Sequence, residues 1–342
     1  MSTVVMAANN GEVGGGEVML LATARLVASL GADVEIVGPD APGGVLDLGA
    51  DEGFVVHRLA ADRRRYLHDL REWHAGRREL LWCHGLVPAF ATAGRPGRVV
   101  HLHKLPSRTQ RAGYLAARSR SWLTLVPSRW MAARVPGARV LPNWTPDLAG
   151  PARDVGSPRR LGYLGRHSVD KGLVVLAEAL RLLSAEVPVR LVLAGGPRFD
   201  DDAAVRPVDT ALAALPAGVV ERVGWVDTPS FLRTVDGLVA PSVAPESFGL
   251  SVAEAMSAGV PCVVSDAGAL PEVVGPAHPF VASAGDAPAL AAAIDAWARA
   301  DRSELADVAR AQRARWQGEH APDVARERVR GILDSLPSDG RA

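Results

Sequence analysis

Twice along its 342 residues the chain runs through the same alternation of a short apolar stretch and an amphipathic one, and a proline- and glycine-rich stretch parts the two runs. In the first run, residues 4–8 read as a strand and residues 17–30 as an amphipathic helix stopped by Gly31. Residues 34–37 form the next strand, broken by Gly38, Pro39 and Asp40; residues 80–83, 99–102 and 123–126 are further short, buried strands. The break spans 142–158 and contains Pro142, Pro146, Gly150, Pro151, Gly156 and Pro158. The second run has strands at 161–164, 189–194, 237–240 and 260–265 and helices at 171–184, 231–235 and 249–258. Asp286 then caps a long Ala-rich helix that reaches Ala300. Continuously apolar strands separated by helices specify parallel sheets covered on both faces, because a strand with one wet face would alternate polar and apolar residues. The expectation is an α/β protein of two doubly wound parallel-sheet domains, 1–150 and 151–312, facing across a cleft. A helical segment, 313–342, then packs back across both. Ligands in such sheets sit at the carboxyl ends of the strands, so two domains suit an enzyme with two substrates.

The 38 basic and 38 acidic residues cancel, so bulk charge points to no nucleic-acid partner. No run of about 20 apolar residues occurs, and the first residues lack the basic stretch and cleavage site of a signal peptide. A cytoplasmic protein is expected. Cys83 and Cys262 lie in apolar, strand-like runs and read as buried, reduced thiols. Only two of the 38 basic residues, Lys104 and Lys171, are lysines. In so Arg-biased a chain a retained lysine points to a compact ammonium charge that a planar guanidinium does not supply.

The densest chemistry runs from Pro241 to Met256, behind the strand 237–240 and into a helix. Glu246 and Glu254 are eight steps apart, roughly 12 Å along a helix, with Glu246 in the turn and Glu254 about two turns up. That separation suits two carboxylates gripping hydroxyls at opposite ends of one molecule. Between them the amides of Phe248, Gly249 and Leu250 lie at a helix start, where free N–H groups and the helix dipole favour a phosphate. A second piece is the turn after strand 161–164, where Arg166 follows Gly165 and Lys171 opens the next helix. Two cations there can neutralise a leaving diphosphate without a metal. Either charge pair alone would read as solvated surface charge; together, in two strand-to-helix turns of one domain, they point to a site.

Glu246 and Glu254 in this setting resemble the E-x7-E motif of family 4 retaining glycosyltransferases, which have the GT-B fold of two Rossmann-like domains. Gly165-Arg166…Lys171 resembles that family's diphosphate-binding segment, and Gly14-Gly15-Gly16-Glu17 its N-terminal glycine loop. Leu141-Pro142-Asn143, Val192-Leu193-Ala194-Gly195-Gly196, Gly259-Val260-Pro261 and Gly268-Ala269-Leu270-Pro271-Glu272 extend the likeness over about nine tenths of the chain. The resemblance implies a retaining, metal-independent transfer of a hexose-type sugar from a nucleotide diphosphate sugar to a hydroxyl acceptor, without a cofactor. In it Arg166 and Lys171 bind the diphosphate, Glu246 the donor sugar and Glu254 the ribose. Ser247, Phe248, Gly249 and Leu250, with Gly14, Gly15 and Gly16, complete the donor site. UDP, GDP and ADP all stay open as the nucleotide. An epimerase or phosphorylase on the same fold, or a non-catalytic nucleotide-sugar-binding protein, is the alternative.

In the first domain the glycine loop lacks the third glycine of a dinucleotide fingerprint, and a structural tight turn is its other reading. His101-Leu102-His103 ends the strand 99–102; both histidines point to one side of a regular strand. By resemblance His103 faces the transferred sugar and joins Glu246, Arg166 and Lys171 as a catalytic candidate. Lys104 departs from the acidic or small residue common there. His101, Lys104 and Arg108 are the acceptor-side candidates. A zinc reading of the His pair lacks further ligands, because residues 80–146 contain no Asp or Glu, and no metal is expected. The same stretch carries ten basic residues, which read as a solvated face or as the seat of an anionic acceptor or membrane surface. Arg108, Arg111 and Arg118 at helical spacing, with Tyr114 and Leu115 between, would suit a helix lying on the inner membrane face. Asp200-Asp201-Asp202 contains a D-x-D, read as loop or helix-capping acids.

Overall fold

The computed structural model describes residues 3–150, 157–183, 187–196 and 202–337, with the side chains of 202–204 excepted. They form two compact units, 1–143 with 325–342, and 144–324. The first boundary falls earlier than the expected 150/151, and the return to the first unit comes later than the expected 312/313. The physical reason is that much of the supposed linker is packed. Thr145 accepts a hydrogen bond from the Trp316 indole at 2.9 Å, and Asp147 is paired with Arg313 at 2.6 Å. Residues 151–156 lie outside the described residues.

Unit 1 runs β1 (Thr3–Ala7), α1 (Gly15–Ser29), β2 (Asp33–Pro39), α2 (Gly44–Asp51), β3 (Val55–Leu59), α3 (Arg63–Trp73), β4 (Leu80–His84), α4 (Leu86–Ala91), β5 (Arg98–His101), α5 (Arg111–Ala117), β6 (Leu123–Val126), α6 (Arg129–Ala132) and β7 (Arg139–Val140). Its seven strands pair in parallel in the order β3-β2-β1-β4-β5-β6-β7. Val4 to Ala7 and Leu81 to Cys83 are buried without interruption, which is what a sheet covered on both faces requires.

Unit 2 runs β8 (Arg159–Arg166), a single 3-10 turn (Val169–Lys171), α7 (Leu173–Leu182), β9 (Val189–Gly196), α8 (Asp202–Ala213), β10 (Val220–Gly224), α9 (Thr228–Leu232), β11 (Gly237–Ala240), α10 (Leu250–Ala258), β12 (Cys262–Ser265), α11 (Leu270–Val274), β13 (Val281–Ala282), α12 (Ala287–Arg299) and α13 (Arg302–Glu319). Six parallel strands are ordered β10-β9-β8-β11-β12-β13. Alternate residues of β9 feed separate cores: Leu191 and Leu193 join one apolar cluster, Val192 and Ala194 another. That division is the direct result of the two-residue side-chain period of a strand. The Asp286 carboxylate accepts from the Ala289 amide at 2.9 Å, so α12 begins where the sequence places its cap.

The C-terminal helical segment, expected from 313, is two helices rather than one, and α13 already spans that point. Pro322 cannot continue α13, and α14 (Pro322–Ser335) starts on it. From Ala325 onward the chain belongs to unit 1, where Arg326 donates to the Ser29 hydroxyl and carbonyl at 2.7 and 2.9 Å. No helix among the described residues is long and apolar enough to cross a membrane. Both cysteines are buried and unpaired, with burial pushing the Cys83 thiol up to about 11 and the Cys262 thiol up to about 12.

Candidate functional site

Two loops at the carboxyl end of the second sheet carry the charged residues singled out in unit 2. One follows β8; the other follows its neighbour β11. Adjacency in the sheet brings them side by side, and backbone hydrogen bonds fasten them: the Asp170 carbonyl accepts from the amides of Val243 and Ala244, both at 3.0 Å. Gly172 makes the approach possible. Its φ is +80°, and a Cβ there would stand 1.8 Å from the Pro241 carbonyl oxygen.

Lys171 and Glu246, 75 residues apart, meet across this seam: Nζ lies 2.7 Å from Oε1, and the Ser242 hydroxyl donates to the same oxygen at 2.6 Å. Ser242 is fixed in turn, its carbonyl accepting from the Ser265 hydroxyl at 2.6 Å. Arg166 stands on the β8 loop, paired at 3.1 Å with Asp170, whose other carboxylate oxygen takes the Ser168 hydroxyl. Lys171, Arg166 and Glu246 are each only partly exposed, so an anion entering here meets charges with reduced solvent screening.

Gly249, at φ +108°, turns the chain into α10 with no side-chain cap, which leaves the first amides of that helix without an intrahelical acceptor. They face a helix start suited to a phosphate. Because α10 begins at Leu250, Glu254 sits one turn into it rather than two. Its carboxyl makes no hydrogen bond or ion pair among the described residues, and burial pushes it up to about 7. Phe248 contributes backbone alone: its ring is buried in the core, edge-on to His320 at 5.2 Å. Ser247 is part-exposed between Glu246 and Phe248.

In unit 1 the glycine loop opens α1. Gly14 is its N-cap, and the Gly14 amide donates to the Glu17 carboxylate at 3.3 Å, so that amide is already used. Gly15 and Gly16 form the first helical positions. Glu17 is buried, which raises its carboxyl to about 7. Gly16 faces His103: a Cβ there would touch the imidazole side chain at 3.5 Å. His103 in turn shares a 2.9 Å hydrogen bond with His84, and its ring lies 4.2 Å from that of the fully buried His101. His84 was not evident as a partner, because only the parallel register of β4 and β5 sets it opposite His101.

The basic stretch is less uniform than its sequence suggests. Arg98 is fully buried, its guanidinium donating to the carbonyls of Ala89, Arg95, Ala117 and Ser119. Arg108 precedes α5 and Arg118 follows it, so Arg111 alone of the three lies within the helix. Arg118 donates to the Pro136 carbonyl at 2.8 Å. The expected basic membrane-facing helix is therefore not formed by these residues. Lys104 and Arg108 are exposed. Of the D-x-D, Asp200 and Asp201 lie outside the described residues and Asp202 opens α8.

Residues 158–299 match the family model described as glycosyl transferases group 1. The chain is 36% identical over 137 residues to O-antigen chain mannosyltransferase B of Escherichia coli, covering 39% of this chain and 35% of that one. It is 34% identical over 165 residues to a phosphatidyl-myo-inositol mannosyltransferase of Mycobacterium leprae, covering 46% and 41%. The alignments thus span well under half the length of either curated relative. In three dimensions it is similar to Anabaena Alr3699/HepE, solved in complex with UDP and glucose, with a TM-score of 0.85, 20% identity, and 98% of this chain and all of that one covered. It is also similar to sucrose-phosphate synthase from Thermosynechococcus elongatus, with a TM-score of 0.80, 18% identity, and 98% and 99% covered. The fold is GT-B.

Proposed function

We propose that this chain, a GT-B protein whose second unit carries the group 1 glycosyl transferase region, is a retaining glycosyltransferase that moves a hexose-type sugar from a nucleotide diphosphate sugar to a hydroxyl acceptor. The observation that carries the reading is the seam between the β8 and β11 loops, which gathers Arg166, Lys171, Glu246 and the open start of α10 at the carboxyl end of the second sheet. Arg166, Lys171 and the α10 amides neutralise the departing diphosphate, so this step calls on no metal. Glu246 holds the sugar hydroxyls and Glu254 the ribose. In a front-face reaction the bond from the anomeric carbon to phosphate oxygen breaks, and the acceptor oxygen bonds to that carbon on the same face. The acceptor proton passes to the leaving phosphate. His103, with His101, Lys104 and Arg108, serves the acceptor side. The acceptor is anionic or membrane-associated, in keeping with the ten basic residues of 80–146.

A thermal-shift screen of nucleotide diphosphate sugars tests donor binding: one base and sugar should raise Tm, by mass action on the native state. The Glu246→Ala chain, still folded by circular dichroism, should transfer no sugar. Retention is read from the anomeric configuration of the product. Conversion of the donor to an epimer with no acceptor present would instead support the epimerase reading.

A further inference from the structure

His84 ends β4, His101 ends β5 opposite it in register, and His103 follows two residues later. One nitrogen from each lies within 4.8 Å of the other two. His84 and His101 are buried, and His103 is half-buried. His84 Nδ1 and His103 Nε2 satisfy each other at 2.9 Å. His84 Nε2, both nitrogens of His101 and His103 Nδ1 are buried without a hydrogen-bond partner. Buried polar atoms are nearly always paired, so four orphans in one cluster of three rings point to a missing ligand.

We propose that these three histidines bind one divalent transition-metal ion of the zinc class, one nitrogen each, with the fourth position left to water or to an anion. A neutral imidazole offers a lone pair to a metal, and three of them converge here. The donor set excludes Mg2+ and Ca2+: those ions take oxygen ligands, and residues 80–146 hold no Asp or Glu. Cys83 is not part of the set, because strand alternation turns it to the opposite face of β4, where its sulfur lies 3.8 Å from the Thr92 hydroxyl. Metal–nitrogen bonds of about 2.0–2.1 Å in a tetrahedron separate the nitrogens by about 3.3 Å. Any pair therefore has to close by no more than about 1.5 Å from its limit of 4.8 Å, which is within reach of side-chain rotation. The two strand-borne rings are held by the sheet, so the site is largely formed before the ion arrives. With three neutral ligands the ion keeps its full charge, which favours an anionic fourth ligand. The ligands differ from the residues assigned to the diphosphate but include His101 and His103 of the acceptor side, so the test reads metal binding itself and does not rest on the transfer reading.

The test uses the full, tag-free chain, freed of metal with a chelator and titrated with Co2+. One equivalent should bind and give the intense visible absorption of tetrahedral cobalt. Zn2+ should displace it, and a large excess of Mg2+ should not. Trp82, whose ring lies 6.2 Å from that of His84 and 6.3 Å from that of His101, should be quenched as Co2+ enters. Zn2+ should also raise Tm. His84→Ala, His101→Ala and His103→Ala should each lose the cobalt band. His103 is the least buried of the three, and circular dichroism of each metal-free variant separates loss of the site from loss of the fold. His68→Ala, at an exposed histidine beside Asp69 and Glu72, should change nothing. Failure of the wild-type chain to bind Co2+ overturns the proposal, as does binding that survives all three substitutions or vanishes in His68→Ala.

Discussion

Lys171 serves two partners in turn. Its ammonium sits on Glu246, and the Ser242 hydroxyl shares the same carboxylate oxygen. Under the proposed function, an arriving diphosphate takes over the ammonium and leaves Glu246 free for a sugar hydroxyl. Lys171→Met would remove the cation and strand a partly buried carboxylate. The expected result is a fall in kcat of about 10²–10³, the usual effect of deleting one preorganised group that stabilises developing charge. Lys171→Arg should recover little of it, because a planar fork does not replace a compact point charge seated on one carboxylate oxygen. Initial rates at saturating acceptor, beside a thermal melt showing the fold intact, check both. The chain retains this lysine where nearly every other cation is arginine, and that bias was visible before any coordinates. The part of Ser242 was not, because nothing in a linear reading shows that a serine two residues past β11 donates to the same Glu246 oxygen that a lysine 71 positions earlier reaches.

At the scale of elements, the seam between the β8 and β11 loops depends on Gly172. An alanine there meets the Pro241 carbonyl at 1.8 Å and must also keep a φ of +80°. The left-handed backbone alone costs about 1–2 kcal/mol; relieving the clash must part the two loops. Gly218 isolates the backbone share, since its φ is +82° and a Cβ there meets nothing within 4 Å. Gly172→Ala should lose more Tm than Gly218→Ala and should also lose the donor-induced thermal shift, which Gly218→Ala keeps. The sequence made the inner strands legible because they are largely apolar: 123–126, apolar but for the buried Thr124, and 237–240 read at their observed limits. It hid β3, β10 and β13, which stand at or near sheet edges. The residues of β10, for example, are half-buried or exposed and show no apolar run. The same limit reaches the site. Glu246 and Glu254 announce themselves by spacing, but where α10 starts depends on Gly249, and that decides that one turn separates Glu254 from the helix start. The histidine trio needs the register of two strands, a long-range fact that local pattern does not contain.

For the molecule as a whole, buried titratable groups set opposing limbs of the stability profile. Burial raises Glu17 in unit 1 and Glu254 in unit 2 to about 7 from an ordinary 4.5. Each folded carboxyl therefore holds its proton where the unfolded chain has released it, and stability falls as pH rises from about 5 to 8. Burial lowers His74 and His103, to about 4, and lowers His84, His101, His167 and His278. These stay neutral in the fold while the unfolded chain takes up protons below about 6.5, so stability falls as pH drops through that range. Asp147 and Glu221, lowered by hydrogen bonds from Arg313 and Arg160, add to the loss further into acid. Six histidines outweigh two carboxyls near pH 5.5, and the balance turns as the histidines finish releasing protons. Thermal melts of the chelator-treated chain from pH 5 to 9 should therefore show a maximum near neutrality with the steeper limb on the acid side. Glu254→Gln removes a charge that is forced into a buried place only at high pH. It should raise stability at pH 8.5 by on the order of 3 kcal/mol, because the carboxyl is raised from 4.5 to about 7 and each pH unit is worth about 1.36 kcal/mol, and change little at pH 5. A variant equally stabilised at both pH values would mean that Glu254 is ionised throughout, and the carboxylate assigned to the ribose would then be present without any proton loss as the donor binds.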